Sequence, residues 1–216
     1  MDLQSQPSGP LVSSTLAILK AAREYGFEIN KTKLAKLLYM ADLSAVESDG
    51  VQFTGATWRW DNYGPYDSAL ARVEYELSNS KIIERNDHRL SEDDGGRCEL
   101  ALVVDIDDPL PAGPMQIIRD IVRRYGNKNA TGLRELSYKT APMIEAQAGR
   151  ERGVLLDLSR ARRRKQVRAM LMRAGARRAK HPPQGSDPGV CEQLRAEFIA
   201  DTESIRRANE RVLGDL

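Results

Sequence analysis

From Leu11 to Tyr25 the positions Leu11, Thr15, Ile18, Leu19, Ala22 and Tyr25 recur at three- and four-residue intervals. That is the period of one helix face, so the spacing predicts a first helix, stopped by Gly26. Asn30 stands where an N-cap is needed, and Leu34, Leu37, Leu38, Ala41 and Ala45 form a second apolar face that ends near Gly50. Val51 to Tyr63 differs in kind: Phe53, Trp58, Trp60 and Tyr63 alternate with polar residues, which predicts an extended connection with aromatic anchors. Gly64-Pro65 closes it with a turn, and Pro65 suits the first turn of a third helix over about Tyr66–Leu77, with Leu70, Val73 and Leu77 inward.

Two β-prone runs follow, Lys81–Glu84 and Glu99–Val104, separated by an Asp/Gly-rich stretch that ends in Gly95-Gly96; they read as a hairpin. Asp107 to Pro114 links to a fourth helix with Ile117, Ile118, Ile121 and Val122 inward and Gly126 as its stop. A fifth helix starts near Ala130, carries Leu133 and Leu136, and is interrupted by Pro142. Ser159 is positioned to cap a further helix that reaches about Lys180, and the Pro/Gly-rich 181–189 stretch breaks the chain. A last amphipathic helix follows, with Leu194, Phe198, Ile205, Val212 and Leu213 on one side.

The expected fold is therefore mainly α: a compact helical domain with a small β-hairpin, followed by a helical C-terminal extension. Its parts are a flexible lead (1–10), the domain (11–148), a basic helical segment (149–180), a Pro/Gly linker (181–189) and the C-terminal amphipathic helix (190–216). The lead holds Pro7, Gly9 and Pro10 among polar neighbours, a composition that cannot offset the entropy of ordering.

Charge adds an asymmetry that the total conceals. The chain has 33 Lys and Arg against 31 Asp and Glu. Residues 1–148 hold 17 basic and 22 acidic side chains, whereas 149–216 hold 16 and 9. Most of the basic excess lies between Arg160 and Lys180, where Arg162, Arg163, Arg164 and Arg168 stand among ten cations with no acid. Such a helix suits the phosphates of a nucleic acid, an acidic protein surface, or plain solvation. Interleaved aromatics that would stack on bases are missing. No run of about eighteen apolar residues and no basic-then-apolar leader occurs, so a cytoplasmic protein without a membrane partner is expected.

Catalytic chemistry is sparse. His88 falls in a polar loop and His181 in the linker, and no nucleophile elbow, phosphate-cradling loop, dinucleotide fingerprint or His-Glu-x-x-His occurs. The acidic runs Glu92-Asp93-Asp94 and Asp105-Asp107-Asp108 read as hydrated turns rather than cation sites. Cys98 and Cys191 are far apart, without metal-ligand spacing, and read as thiols. The expectation is a binding protein rather than an enzyme, with no cofactor, no metal and no catalytic residue. One of Trp58 and Trp60 filling the core while the other faces outward is one expectation, and both filling the core around a bend is the alternative. An exposed indole beside Tyr63 and Tyr66 would form a partner hot spot.

Lys33-Leu34-Ala35-Lys36-Leu37-Leu38-Tyr39-Met40-Ala41-Asp42, followed by Gly50, Phe53-Thr54-Gly55, Trp58 and Tyr63-Gly64-Pro65-Tyr66, is similar to the opening signature of the Panacea domain, the SocA-like antitoxin family. Tyr125-Gly126 with Leu133 to Ser137 resembles a later element of that family. The resemblance covers about 11–148. After Leu136-Ser137 the family usually has a histidine and, further on, a tryptophan; Tyr138 and Met143 stand here.

The resemblance implies a domain that neutralises a cognate protein toxin by direct binding, with delivery to a protease complex as one route described for the family. A place in phage defence is compatible with it. It also implies that Leu37, Leu38, Asp42, Gly64 and Pro65 are scaffold. Trp58, Trp60, Tyr63, Tyr66, Arg162, Arg163, Arg164, Arg168 and Phe198 are the expected partner contacts. The rival expectation is a nucleic-acid-binding regulator that uses the 160–180 helix on its own operon. Oligomeric state stays open.

Overall fold

The computed structural model describes residues 7–88, 97–149 and 151–180, with 192–193, 195–197 and 199–200. Helix α1 (Pro10–Tyr25) starts with Pro10 in the first turn, where a missing N–H costs nothing. It ends on Gly26 in the left-handed conformation, with the Phe27 N–H closing back on the Ala22 carbonyl at 2.9 Å. A two-residue strand β1 (Ile29–Asn30) leads into α2 (Lys31–Ser48), capped as expected by the Asn30 side chain, which accepts from Lys33 N at 2.9 Å.

Helix α2 is the centre of the molecule. Leu34, Ala35, Leu37, Leu38, Tyr39, Ala41, Leu43, Ala45 and Val46 are all buried, so the helix is covered around most of its circumference rather than on one stripe. It packs against α1, α4 (Ala112–Tyr125) and α5 (Ala130–Tyr138). Met115, Ile118, Ile121 and Val122 of α4 and Leu133 of α5 supply the facing apolar surface.

The hairpin expected around residues 81–104 forms as β4 (Ile83–His88) and β5 (Arg97–Leu102), and β1 joins it antiparallel in the order β1-β5-β4. Register places Ile83 opposite Leu102 and Ile29 opposite Leu100. Cys98, Leu100 and Leu102 alternate inward, the period a half-buried strand requires. His88 is therefore a strand residue, not a loop one. The Asp105–Asp108 turn, expected to be hydrated, is partly engaged: Asp105 pairs with Arg23, and Asp108 with Lys20 and Arg119. Glu92 to Asp94, His181 and Cys191 lie outside the described residues.

Three expectations are corrected. Pro65 does not open a helix; it sits in a second hairpin made by β2 (Arg59–Asp61) and β3 (Gly64–Tyr66), opposite Trp60. Helix α3 (Ala69–Asn79) begins later because Asp67 organises its start, its side chain accepting from Ala69 N at 2.8 Å and its carbonyl from Leu70 N at 3.1 Å. Pro142 begins a separate helix, α6 (Ala141–Ala148), in whose first turn its missing N–H is tolerated.

The expected boundary at 148 also moves. Gly153 N donates to Trp60 O at 2.7 Å, Trp60 N to Val154 O at 2.9 Å and Leu156 N to Trp58 O at 2.9 Å, so this segment runs antiparallel beside β2. Leu156, Leu158 and Ala161 join the main core. One compact unit spans Met1–Val167, and a second, Arg168–Leu216, begins inside α7 (Ser159–Lys180). Ser159 is the first residue of α7 rather than its cap: its N–H is held by the Asp157 carboxylate at 3.0 Å. In the second unit Met170, Leu171 and Met172 of α7 are exposed, as are Arg168 and Arg173, and the described residues of 192–200 are helical.

Candidate functional site

The β2–β3 hairpin is held to α2 by two buried charged side chains six residues apart. Asp42 is fully buried. Its Oδ1 accepts from the backbone N–H groups of Phe53 and Thr54, both at 3.1 Å, and its Oδ2 from the Thr54 hydroxyl and from Trp58 Nε1 at 2.8 Å. A carboxylate with four donors replaces its lost hydration and pins the loop that precedes β2. Burial still pushes the Asp42 carboxyl above its ordinary value, against the hydrogen bonds from Thr54, Trp58 and Phe53. Lys36, 2% exposed, donates to the Pro65 carbonyl at 2.7 Å and so pins β3. Its desolvation lowers the ammonium pKa to about 8; nearby Asp61 opposes the shift and Arg134 adds to it.

The aromatic segment divides between core and surface. Trp58, expected among the contacts, is 1% exposed, with its indole against the Tyr39 ring edge-on at 5.5 Å. That is a correction: the indole serves the interior. Trp60 is half-buried and packs on the core, with Nε1 reaching the Tyr138 hydroxyl at 3.4 Å. Tyr66 is half-buried, while Tyr63, between the two strands, is 66% exposed. The hairpin thus presents one open tyrosine and the edges of two other aromatics.

Gly64 shows why the Gly-Pro pair stands where it does. Its φ is +96°, and an added Cβ would lie 3.0 Å from Ser137 Oγ and 3.2 Å from Tyr138 Cε2. Tyr138 covers this glycine and reaches Trp60. Leu37 and Leu38 are fully buried.

Beside the hairpin is a half-open pocket of about 360 Å³, walled by Lys31, Ala35 and Lys36 of α2, Asp61, Tyr63, Gly64 and Tyr66 of the hairpin, and Ala71 and Glu74 of α3. Glu74 is 4% exposed and lies 3.6 Å from Lys31 Nζ. Burial raises its carboxyl pKa, with Lys31 and Arg85 opposing the shift. Burial also raises the Tyr66 phenol, helped by Glu74, Asp61 and Asp67. Sequence reasoning did not single out Lys31, Asp61 or Glu74, and met Lys36 only as a letter in the motif. They come from three separate elements, and no spacing joins them.

Of the basic contacts expected, Arg162 is exposed and lies beside Gly50, where an added Cβ would meet its guanidinium. Gly50 follows the C-terminal end of α2, a location that favours a cation. Arg168 is exposed; Arg163 and Arg164 lie in α7; Phe198 is outside the described residues. Among the described residues no helix is long and apolar enough to cross a membrane.

The site is thus an aromatic hairpin held on a mainly helical domain by two buried charged side chains, Lys36 and Asp42. Residues 34–142, just over half of the chain, match the family described as antitoxin SocA-like, Panacea domain. The chain belongs to that family. No curated protein and no solved structure matched it.

Proposed function

We propose that this protein is the antitoxin of a toxin–antitoxin pair, neutralising a cognate protein toxin by direct binding and without catalysis of its own. Family membership carries this reading. The hairpin surface around Tyr63, with Trp60 and Tyr66 at its edges, supports it, since exposed aromatics on a rigid mount give large contact area at low entropic cost. The exposed Arg168, Met170 and Leu171 of α7 offer a second, charged and apolar contact for an acidic partner. In this reading Arg162, Arg163, Arg164 and Phe198 are further partner contacts, on the ground of the sequence alone.

Co-expression with the product of the adjacent gene tests it. That product should arrest growth alone and be harmless beside this protein. An adjacent product without toxicity, or toxicity that persists, refutes the reading. Toxin abundance separates two routes: it stays constant if binding blocks the toxin and falls if the toxin is delivered to a protease complex.

A second reading, a regulator binding its own operator DNA, is favoured by the acid-free run of cations between Arg160 and Lys180. It requires operator binding that weakens steeply with salt and is lost when Arg162, Arg163 and Arg164 become Glu.

A further inference from the structure

Helix α7 carries an apolar face that stands open. Val167, Met170, Leu171, Ala174 and Gly175 follow one another at the spacing i, i+3, i+4, i+7, i+8, which a helix turns into one continuous strip. All five positions are exposed, Val167 by 55% and Met170 and Leu171 by 68% each. The strip passes from bulky to flat along the helix. Its flat end needs an account, because glycine in a helix interior costs stability relative to alanine. No neighbour demands it: a Cβ added at Gly175 meets nothing within 4 Å.

Charge narrows what can cover this face. Ten cations and no acid stand between Arg160 and Lys180, and the exposed Arg168 and Arg173 lie on the two sides of the strip. A covering surface must therefore be apolar in its middle and acidic at its edges. A second copy of α7 would set cations against cations. The phosphates of a nucleic acid would satisfy the arginines but leave Met170 and Leu171 without apolar cover. An anionic membrane surface meets both needs, yet it has no fixed wall, and a large apolar side chain would serve it better than Gly175. A groove in a folded protein meets both needs and requires a small residue where its wall comes nearest.

We propose that α7 is the element that recognises the toxin, lying as a helix in an apolar groove on its surface. Met170 and Leu171 fill the groove, Ala174 and Gly175 let its wall approach, and carboxylates on its rim pair with Arg168 and Arg173. This deepens the antitoxin reading and rests on it. Recognition then falls outside residues 34–142, the stretch that matches the family.

The test titrates the full chain with the purified product of the adjacent gene and scores the same variants for rescue of growth. Met170→Ser combined with Leu171→Ser should weaken binding about 100-fold, since two large apolar side chains lose their burial. Gly175→Leu should raise the helicity of the free chain, read by circular dichroism, and yet weaken binding about tenfold. A purely structural role for Gly175 does not give that combination. Arg168→Glu with Arg173→Glu should weaken binding strongly at low salt and less at high salt. All five substituted positions are exposed, so the main domain should keep its thermal midpoint.

Unchanged affinity of the double serine variant, or tighter binding by Gly175→Leu, overturns the proposal. Binding of the wild-type chain to phosphatidylglycerol vesicles that Gly175→Leu strengthens also overturns it, in favour of a membrane surface. The two failures are distinct: a wild-type chain that neither binds nor neutralises the adjacent product removes the antitoxin reading and this proposal together. A wild-type chain that neutralises it, with every variant doing so equally, removes this proposal alone.

Discussion

Asp42 Oδ2 accepts a hydrogen bond from Trp58 Nε1 at 2.8 Å, and both residues are buried. This single contact ties the central helix to the loop that launches the β2–β3 hairpin. Trp58→Phe removes the donor while keeping most of the ring, and should cost about 1–3 kcal/mol in urea denaturation. Asp42→Ala strands four donors and should cost about 3 kcal/mol or more. The double variant should cost less than the sum of the two. Strict additivity would show that the two side chains do not act as a unit.

Gly64→Ala should destabilise by about 1–3 kcal/mol, because a side chain at φ +96° is strained and its Cβ would lie 3.0 Å from Ser137 Oγ. In a Ser137→Ala background the closer of the two contacts is relieved while the Tyr138 ring at 3.2 Å and the backbone part remain, so the penalty should shrink without vanishing. Thermal unfolding of the four proteins in this cycle measures both parts. A neutral Gly64→Ala would contradict the packing described.

Lys36 gives stability a definite pH dependence. Its folded pKa, about 8, lies below the ordinary 10.5, so between these values the unfolded chain binds the extra proton and stability rises with pH. The penalty of the buried charge is complete below pH 8 and gone above pH 10.5. Subtracting Lys36→Met from the native protein removes the contributions of other titrating groups in the same range. The native protein should gain on the variant by about 3 kcal/mol between pH 8 and 10.5. A difference that does not change with pH would mean that the ammonium is solvated.

Truncation locates the true end of the first unit. A chain ending at Ala148 loses the segment beside β2 and the buried side chains of Leu156 and Leu158, each worth about 1.5–3 kcal/mol of burial. It should unfold at markedly lower urea than a chain ending at Val167, which should stay close to the full-length protein. Equal midpoints for the two truncations would return the boundary to 148.

The periodic elements were readable because their signals are local. The three- and four-residue spacing of Ile18, Leu19 and Ala22, the Asn30 cap and the Cys98–Leu100–Leu102 alternation each need only neighbouring residues to be interpreted. The order Tyr39-x-Ala41-Asp42 with Gly64-Pro65 was enough to identify the family. Pro65 misled because a proline after glycine suits a helix start and a hairpin strand alike, and the tie that decides, from Lys36 Nζ to its carbonyl, spans 29 positions.

The sequence by itself determined the elements, the family and the uneven distribution of charge, since propensity, capping and composition act within a few residues of one another. Only the tertiary structure decided which tryptophan is interior, why Asp42 and Lys36 tolerate burial, and that residues 153–156 pair with β2. The pocket of Lys31, Lys36, Asp61 and Glu74 likewise arises only when α2, the hairpin and α3 converge. Desolvation, unlike helix periodicity, is set by what the rest of the chain places around a side chain.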